Sequence, residues 1–163
     1  MYGQYRVHLM QKKLISFFTQ KGYYLALLYW WIFRPKRRGV RVIALHGTDV
    51  LMVRPSYLKN ALWTFPGGGI KKRETLEQAA VREVKEETDL LVENVQYLAP
   101  FVSTKEYKVD QISIVSAEAA TKAAPRPHDI LEIAEAGWFS LDALPPMGPI
   151  AKNILATYFQ HKK

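Results

Sequence analysis

The hydrophobic pattern of the chain changes abruptly near Gly39. Before it, residues 23–33 form an apolar run whose polar groups are tyrosine hydroxyls, and a basic cluster at residues 34–38 follows. A membrane-spanning helix needs about 20 consecutive apolar residues. Extending this run to that length takes in five residues that are polar or glycine: Ser16, Thr19, Gln20, Lys21 and Gly22. The pattern therefore argues against a membrane span and predicts a shorter helix.

Two interpretations of this N-terminal helix stay open. In the first, which we favour, the helix packs on its own domain or forms a homodimer contact, and Pro35 ends it. In the second, the helix lies at an anionic membrane surface as a peripheral contact. Tyr29, Trp30 and Trp31 would then sit at the lipid interface beside the basic cluster.

After Gly39 the apolar residues alternate with polar ones, which predicts β-strands. The runs at 40–45 and 50–53 read as a hairpin, because residues 46–49 between them have the composition of a turn. Three later strands are predicted, at residues 95–103, 109–117 and 134–139, with a loop at 123–128 before the last.

Helical periodicity appears in three places between and after these strands. The strongest helix starts at Thr75, where Thr75 and Gln78 have the spacing of a capping box. A short helical turn is predicted at 141–144 and a final amphipathic helix at 150–160. Strands and helices interleave without regular β-α-β alternation, so we expect an α/β fold with a mixed sheet covered by helices.

Composition and charge narrow the function classes. The 163 residues are 48% hydrophobic and 23% charged, as in one ordinary globular domain. The chain has no cysteine, which excludes disulfides, a thiolate zinc site and a cysteine nucleophile. This composition is compatible with a reducing compartment, and we expect a cytoplasmic location, with membrane association if the N-terminal helix binds lipid.

The net charge of +8 is concentrated at one end of the chain. Residues 1–41 contain nine basic and no acidic residues, whereas the remainder carries 14 basic and 15 acidic residues. We assign this basicity to the N-terminal segment. Nucleic-acid binding is not expected, because the rest of the chain has no matching basic stripe.

The helix after Thr75 carries the candidate chemistry. Glu83, Glu86 and Glu87 fall within about 100° of one another around the helix axis, beside its apolar stripe. Like charges at this spacing repel one another, and Arg82 can neutralise one of them. A divalent cation such as Mg²⁺, which favours carboxylate oxygen, would neutralise the rest. The alternative is an ordinary exposed acidic helix face with Lys85 nearby.

A glycine-rich loop precedes this helix. Gly67, Gly68 and Gly69 lack Cβ atoms, so the main chain there can approach a ligand closely. The alternative for this triplet is a hairpin turn.

Together these residues resemble the Nudix family. The Nudix box is G-x5-E-x7-R-E-U-x-E-E-x-G-U, where U is a bulky aliphatic residue. Eight of its nine positions are filled: by Gly68, Glu74, Arg82, Glu83, Val84, Glu86, Glu87 and Leu90. Asp89 replaces the second glycine, in a position where a left-handed residue should end the helix. The resemblance covers about residues 40–144.

The resemblance implies a fold and a reaction. It implies a Nudix-type α/β/α sandwich at residues 39–163, with residues 1–38 as an extra N-terminal helical segment. It also implies an Mg²⁺-dependent hydrolase, with Mn²⁺ as a substitute, that cleaves the pyrophosphate linkage of a nucleotide, nucleotide sugar or dinucleotide. The alternative is a non-catalytic Nudix-fold module that binds nucleotides or has a regulatory role.

The resemblance also implies residue roles. Glu83, Glu86 and Glu87 would hold the metal with the main chain of Gly67 or Gly68, and Glu74 would pair with Arg82 to orient the helix. The general base would be Glu83 or, from a loop before the last core strand, Glu132.

Substrate contacts are predicted less sharply, because the residues that bind the base lie outside the box. Candidates are the loop glycines 67–69, Trp63, which could stack on a base, and Tyr107, which resembles a tyrosine of dinucleoside polyphosphate members. The long motif of the NADH-directed members is absent.

Overall fold

A mixed β-sheet forms the centre of the part of the chain that the computed structural model describes, namely residues 36–57, 62–103 and 109–162. Its five strands are β1 (Lys36–His46), β2 (Asp49–Pro55), β3 (Val92–Ser103), β4 (Val109–Ala119) and β5 (Ile133–Ser140). They lie in the order β3-β4-β1-β2-β5. β1 and β4 are parallel, and the other neighbouring pairs are antiparallel. The predicted strands and their hairpin are confirmed.

In the described ranges, two helices flank this sheet. The helix α1 (Leu76–Thr88) begins with the predicted capping box: the Thr75 hydroxyl accepts a hydrogen bond from the Gln78 amide, and the Gln78 side chain accepts one from the Thr75 amide. It ends at Asp89, which has the left-handed conformation (φ 61°) expected at this position. The helix α2 (Pro149–His161) matches the predicted C-terminal helix.

The prediction of a short helix at 141–144 is wrong. These residues form a turn, in which the Ala143 amide donates to the Ser140 carbonyl oxygen at 3.0 Å. Pro145 and Pro146 follow directly. A proline disfavours the helical conformation of the residue before it, so the turn cannot continue as a helix.

The core lies in two layers, one on each face of the sheet. Alternate residues of β1 face opposite layers: Val40 and Val42 pack with α1, whereas Ile43 packs with α2. The α1 layer also contains the buried residues Ala44, Leu51, Ala79, Ala80 and Val84. The α2 layer also contains Val50, Met52, Ile114, Ala151, Ile154 and Tyr158. The predicted α/β/α sandwich is confirmed.

Several predictions concern residues outside the described part of the chain. They are the N-terminal helix, its homodimer or membrane contact, and the substrate role of Tyr107. Within the described ranges, no helix is long and apolar enough to cross a bilayer. The strand β1 already begins at Lys36, slightly before the domain boundary expected after residue 38.

Candidate active site

The glycine loop runs along β1 and is attached to it by main-chain hydrogen bonds. The Val40 amide donates to the Gly68 carbonyl oxygen at 2.9 Å, and the Ile70 amide donates to the Arg38 carbonyl oxygen at 3.0 Å. Gly67 has a φ of 139°, and a Cβ there would lie 2.2 Å from the Val40 carbonyl oxygen. Only glycine fits this position, so the close approach of loop and strand depends on it.

The three glutamates of α1 differ in their environments. Glu83 and Glu87 are buried, each with 8% of its surface exposed, whereas the side chain of Glu86 is 53% exposed. The carboxylate of Glu83 lies against the loop, since a Cβ on Gly68 would be 2.7 Å from its oxygens. The helix thus presents two carboxyl groups to the interior and one to solvent.

Glu87 links the helix to the glycine loop. Its Oε2 accepts a hydrogen bond from the Gly67 amide at 3.0 Å. Burial raises the pKa of Glu87 to about 8, and the negative charges of Glu83 and Glu132 act in the same direction. The Arg41 charge and the Gly67 hydrogen bond oppose this rise. Burial therefore favours the protonated form of Glu87 when no cation is bound.

Arg82 joins the acidic residues of the helix to the loop. Its Nε and Nη2 donate to the two oxygens of Glu74 at 2.6 and 2.9 Å, a bidentate pair. Its Nη1 donates to Glu83 at 2.7 Å and to Glu86 at 3.0 Å, and Nη2 also reaches the Gly69 carbonyl oxygen. The bidentate pair and a further hydrogen bond from the Lys71 amide hold the pKa of Glu74 down at about 2. Arg82 therefore orients carboxylates on both sides of it.

Glu132 reaches the site from the loop before β5. The Ser56 amide donates to the Glu132 carbonyl oxygen at 2.9 Å, and the Ser56 hydroxyl donates to the carbonyl oxygen of Leu131. Partial burial raises the pKa of Glu132, and the nearby charges of Glu83 and Asp129 raise it further. The loop therefore brings a carboxyl group within electrostatic range of α1.

Two neighbouring cavities meet at these residues. The first, of about 380 Å³, we call the arginine cavity. Its lining includes Arg38, Arg41, Tyr57, Phe65, Gly67, Gly68, Gly69 and Ile112. The second, of about 430 Å³, we call the acidic cavity. Its lining includes Glu83, Lys85, Glu86, His128 and Asp129. Glu87, Glu132 and Ile133 line both cavities, so the two spaces adjoin.

The donors of the acidic cavity fit a hard divalent cation in their chemistry. Glu83, Glu86 and Glu87 offer carboxylate oxygens, the ligand type that Mg²⁺ prefers. The raised pKa of Glu87 shows that its negative charge lacks compensation, which a cation would supply. In the described ranges no three acidic or histidine side chains already surround one point that could hold a metal. Arg82 instead bridges Glu83 and Glu86.

The other predicted binding residues lie in different places. Trp63 packs edge-on against Phe139, with ring centroids 4.7 Å apart, in the core layer of α2. It lines neither cavity, whereas Tyr57 and Phe65 line the arginine cavity. The Gly68 carbonyl oxygen, expected near the metal, accepts the Val40 amide.

Sequence reasoning missed Arg41. We counted its charge with the basic N-terminal residues, although the predicted strand at 40–45 includes it, and gave it no role in the site. It lies within β1 and lines the arginine cavity. Its guanidinium donates to the Gly67 carbonyl oxygen. The available signal was its place between Val40 and Val42, since a charged residue inside a β-branched run must face away from the apolar layer that its neighbours enter.

Comparisons with known proteins agree with this architecture. A family model described as NUDIX domain matches residues 35–158. The NAD-capped RNA hydrolase NudC of Edwardsiella ictaluri is 31% identical over 118 residues, which are 70% of this chain and 44% of that protein. The chain thus spans less than half the length of this curated relative.

Solved structures share the fold. The MutT NUDIX hydrolase from Burkholderia pseudomallei superposes with a TM-score of 0.66 at 24% identity, over 76% of this chain and 98% of that one. An ADP-ribose pyrophosphatase from Streptococcus suis gives a TM-score of 0.61 at 23% identity, over 78% of this chain and 92% of that one. At these identities the similarity establishes the fold.

Proposed function

The chain belongs to the NUDIX family, and from this premise we propose that it hydrolyses the pyrophosphate linkage of a nucleoside diphosphate derivative with the help of Mg²⁺. The observation that carries the proposal is the pair of buried carboxyl groups, Glu83 and Glu87, held between α1 and the glycine loop. Glu83 is paired with Arg82, whereas Glu87 forms no ion pair within the described ranges and burial disfavours its charged form. A divalent cation bound by both groups would compensate the charge of Glu87.

Glu83, Glu86 and Glu87 would hold the metal ion, with the main chain of Gly68 beside them. The bound cation would neutralise diphosphate oxygens and lower the pKa of an attached water. To take part, Glu86 must exchange its contact with Arg82 for one with the cation. Arg82 retains its bidentate contact with Glu74 and keeps the helix oriented.

Glu132 is the residue that we propose as general base. Its pKa is raised, which brings it towards the working pH where a base is most effective. It lines both cavities and so lies where the attacking water and the diphosphate would meet. Glu83, the other candidate, already binds Arg82 through Oε1. General-base catalysis contributes about 10²- to 10⁴-fold, so Glu132→Gln should lower kcat by that factor.

We propose the substrate only as a class, the nucleoside diphosphate derivatives. Similar proteins include an NAD-capped RNA hydrolase and an ADP-ribose pyrophosphatase; in NAD-capped RNA and in ADP-ribose, a diphosphate joins a nucleoside to a second group. This chain lacks the long motif of the NADH-directed members. We therefore propose the linkage as the recognised feature and leave both attached groups open.

A substrate panel tests the proposal. Wild-type protein is incubated with Mg²⁺ and ADP-ribose, NADH, a UDP-sugar, a dinucleoside polyphosphate or nucleoside triphosphates, and the products are identified. We expect turnover that EDTA abolishes and that falls by at least about 100-fold in Glu86→Gln or Glu87→Gln. Glu77→Gln is the matched control, because Glu77 is an exposed acid on the first turn of the same helix.

Two results would count against the proposal. Equal turnover in the wild type and in Glu87→Gln would separate the reaction from the buried carboxyl group. Tight nucleotide binding without Mg²⁺-dependent turnover of any panel member would instead favour the non-catalytic binding module.

A further inference from the structure

Arg41, like Arg38, is a charged group of the arginine cavity that the proposed reaction does not yet use. Within the part of the chain that the structure describes, its hydrogen bonds go to two main-chain carbonyl oxygens, those of Gly67 and Val40, and both come from Nη1. It forms no ion pair with a carboxylate among these residues. Its Nε and Nη2 donors are therefore available to a ligand.

Two other arginines of the domain provide a comparison. The guanidinium of Arg82 is occupied by Glu74, Glu83 and Glu86. The guanidinium of Arg54, on the neighbouring strand β2, donates to both oxygens of Glu135. Arginine presents a planar set of donors that matches carboxylate or phosphate oxygens in pairs. Arg41 differs from both because its Nε and Nη2 donors have no carboxylate partner in the described ranges and the residue lines a cavity.

The position of Arg41 relates it to the reacting groups. Arg41 lines the arginine cavity together with Glu87 and Glu132. These two residues stand where the arginine and acidic cavities adjoin. A diphosphate that crosses this boundary would have one phosphate among the carboxylates of α1 and the other beside Arg41.

We infer that Arg41 binds the phosphate group of the substrate that lies in the arginine cavity, and that it selects ligands carrying an anion there. Arg38 lines the same cavity and adds a second positive charge. The contact with Gly67 holds the guanidinium of Arg41 beside the glycine loop, whose residues 67–69 have no side chains. The inference rests on the proposed function for the identity of the substrate, but its binding test does not need turnover.

The experiment measures binding of ADP and of adenosine by isothermal titration in EDTA, so that no metal ion contributes. The variants are Arg41→Met, which removes the charge, and Arg41→Lys, which keeps the charge but not the paired donors. Arg54→Met and Arg54→Lys are the matched controls, because Arg54 is an arginine of the adjacent strand whose Nε and Nη2 donate to Glu135.

We expect Arg41→Met to weaken ADP binding by about 10- to 100-fold, the usual loss for a charged hydrogen-bonded pair. Arg41→Lys should lie between Arg41→Met and the wild type. Adenosine binding should change by less than about 2-fold in every variant, because adenosine has no phosphate group that could contact Arg41. The Arg54 variants should bind both ligands as the wild type does.

Three outcomes would overturn the inference: unchanged ADP affinity in Arg41→Met, an equal loss of ADP and adenosine affinity in Arg41→Lys, or no ADP binding by the wild type. An equal loss would mean that Arg41 only shapes the cavity. The proposed function fails separately: Arg41-dependent ADP binding without turnover leaves the inference standing. Turnover that is unaffected in Arg41→Met leaves the proposed function standing.

Discussion

The buried carboxyl group of Glu87 should make the stability of the metal-free protein depend on pH. Its pKa is about 8 in the folded protein, against 4.5 for an ordinary glutamate, because burial disfavours the charged form. Between pH 4.5 and about pH 8, the folded state therefore keeps a proton on Glu87 that the unfolded chain has released. A group with a raised pKa contributes stability that is present below pH 4.5 and is lost as the pH rises towards 8.

The size of this effect follows from the two pKa values. One bound proton changes the free energy of unfolding by about 1.4 kcal/mol per pH unit. Between pH 5 and pH 7 the metal-free protein should lose about 2 to 3 kcal/mol from Glu87 alone. Glu87→Gln removes the titration and keeps the size and shape of the neutral side chain, so its stability should lack this slope.

Urea denaturation in EDTA at half-unit steps from pH 5 to pH 8 measures this effect. The wild type and Glu87→Gln should agree near pH 5 and diverge as the pH rises, with the variant more stable. Glu86→Gln is the matched control and should keep the wild-type slope, because Glu87 is intact there. Saturating Mg²⁺ should reduce the slope of the wild type, since a cation compensates the charged carboxylate. Parallel pH curves for the wild type and Glu87→Gln would refute the reasoning.

Four further substitutions test the loop and the helix. Gly67→Ala places a Cβ 2.2 Å from a main-chain oxygen at a φ of 139°, and it should lower the free energy of unfolding in urea by at least about 2 kcal/mol. Gly68→Ala places a Cβ 2.7 Å from the Glu83 carboxylate, and it should weaken Mn²⁺ binding, measured by electron paramagnetic resonance, by about 10-fold. Gly69→Ala meets no atom within 4 Å and should leave Mn²⁺ binding unchanged; a similar loss there would contradict the steric explanation. Thr75→Ala removes the helix cap and should cost about 1 kcal/mol in the same urea assay, whereas unchanged stability would show that the capping box contributes little.

The helix and its box could be predicted because their determinants are local. The Thr75 cap depends on a residue three positions away, and the helix end depends on the backbone preference of Asp89 itself. The spacing of Glu83, Glu86 and Glu87 on one helix sector likewise follows from helix geometry alone. Local hydrogen bonds and side-chain periodicity involve residues only a few positions apart, so the amino-acid sequence is enough to predict the helix cap and the helix face.

Burial, by contrast, was decided by packing across the sheet. Glu83 and Glu86 lie only about 60° apart around the helix axis, yet one is buried against Gly68 and the other is exposed. The failed short helix at 141–144 shows a weaker local signal overruled by the prolines that follow it.

The sequence by itself determined the strands, the helix cap, the glycine loop and the order of acidic groups along α1. Only the tertiary structure brought Arg41 from β1 and Glu132 from the loop before β5 to the carboxyl groups of that helix. The physical reason is that these residues are far apart in the chain. Their proximity, and the desolvation that raises the pKa of Glu87, arise only when β1, the glycine loop and α1 pack together.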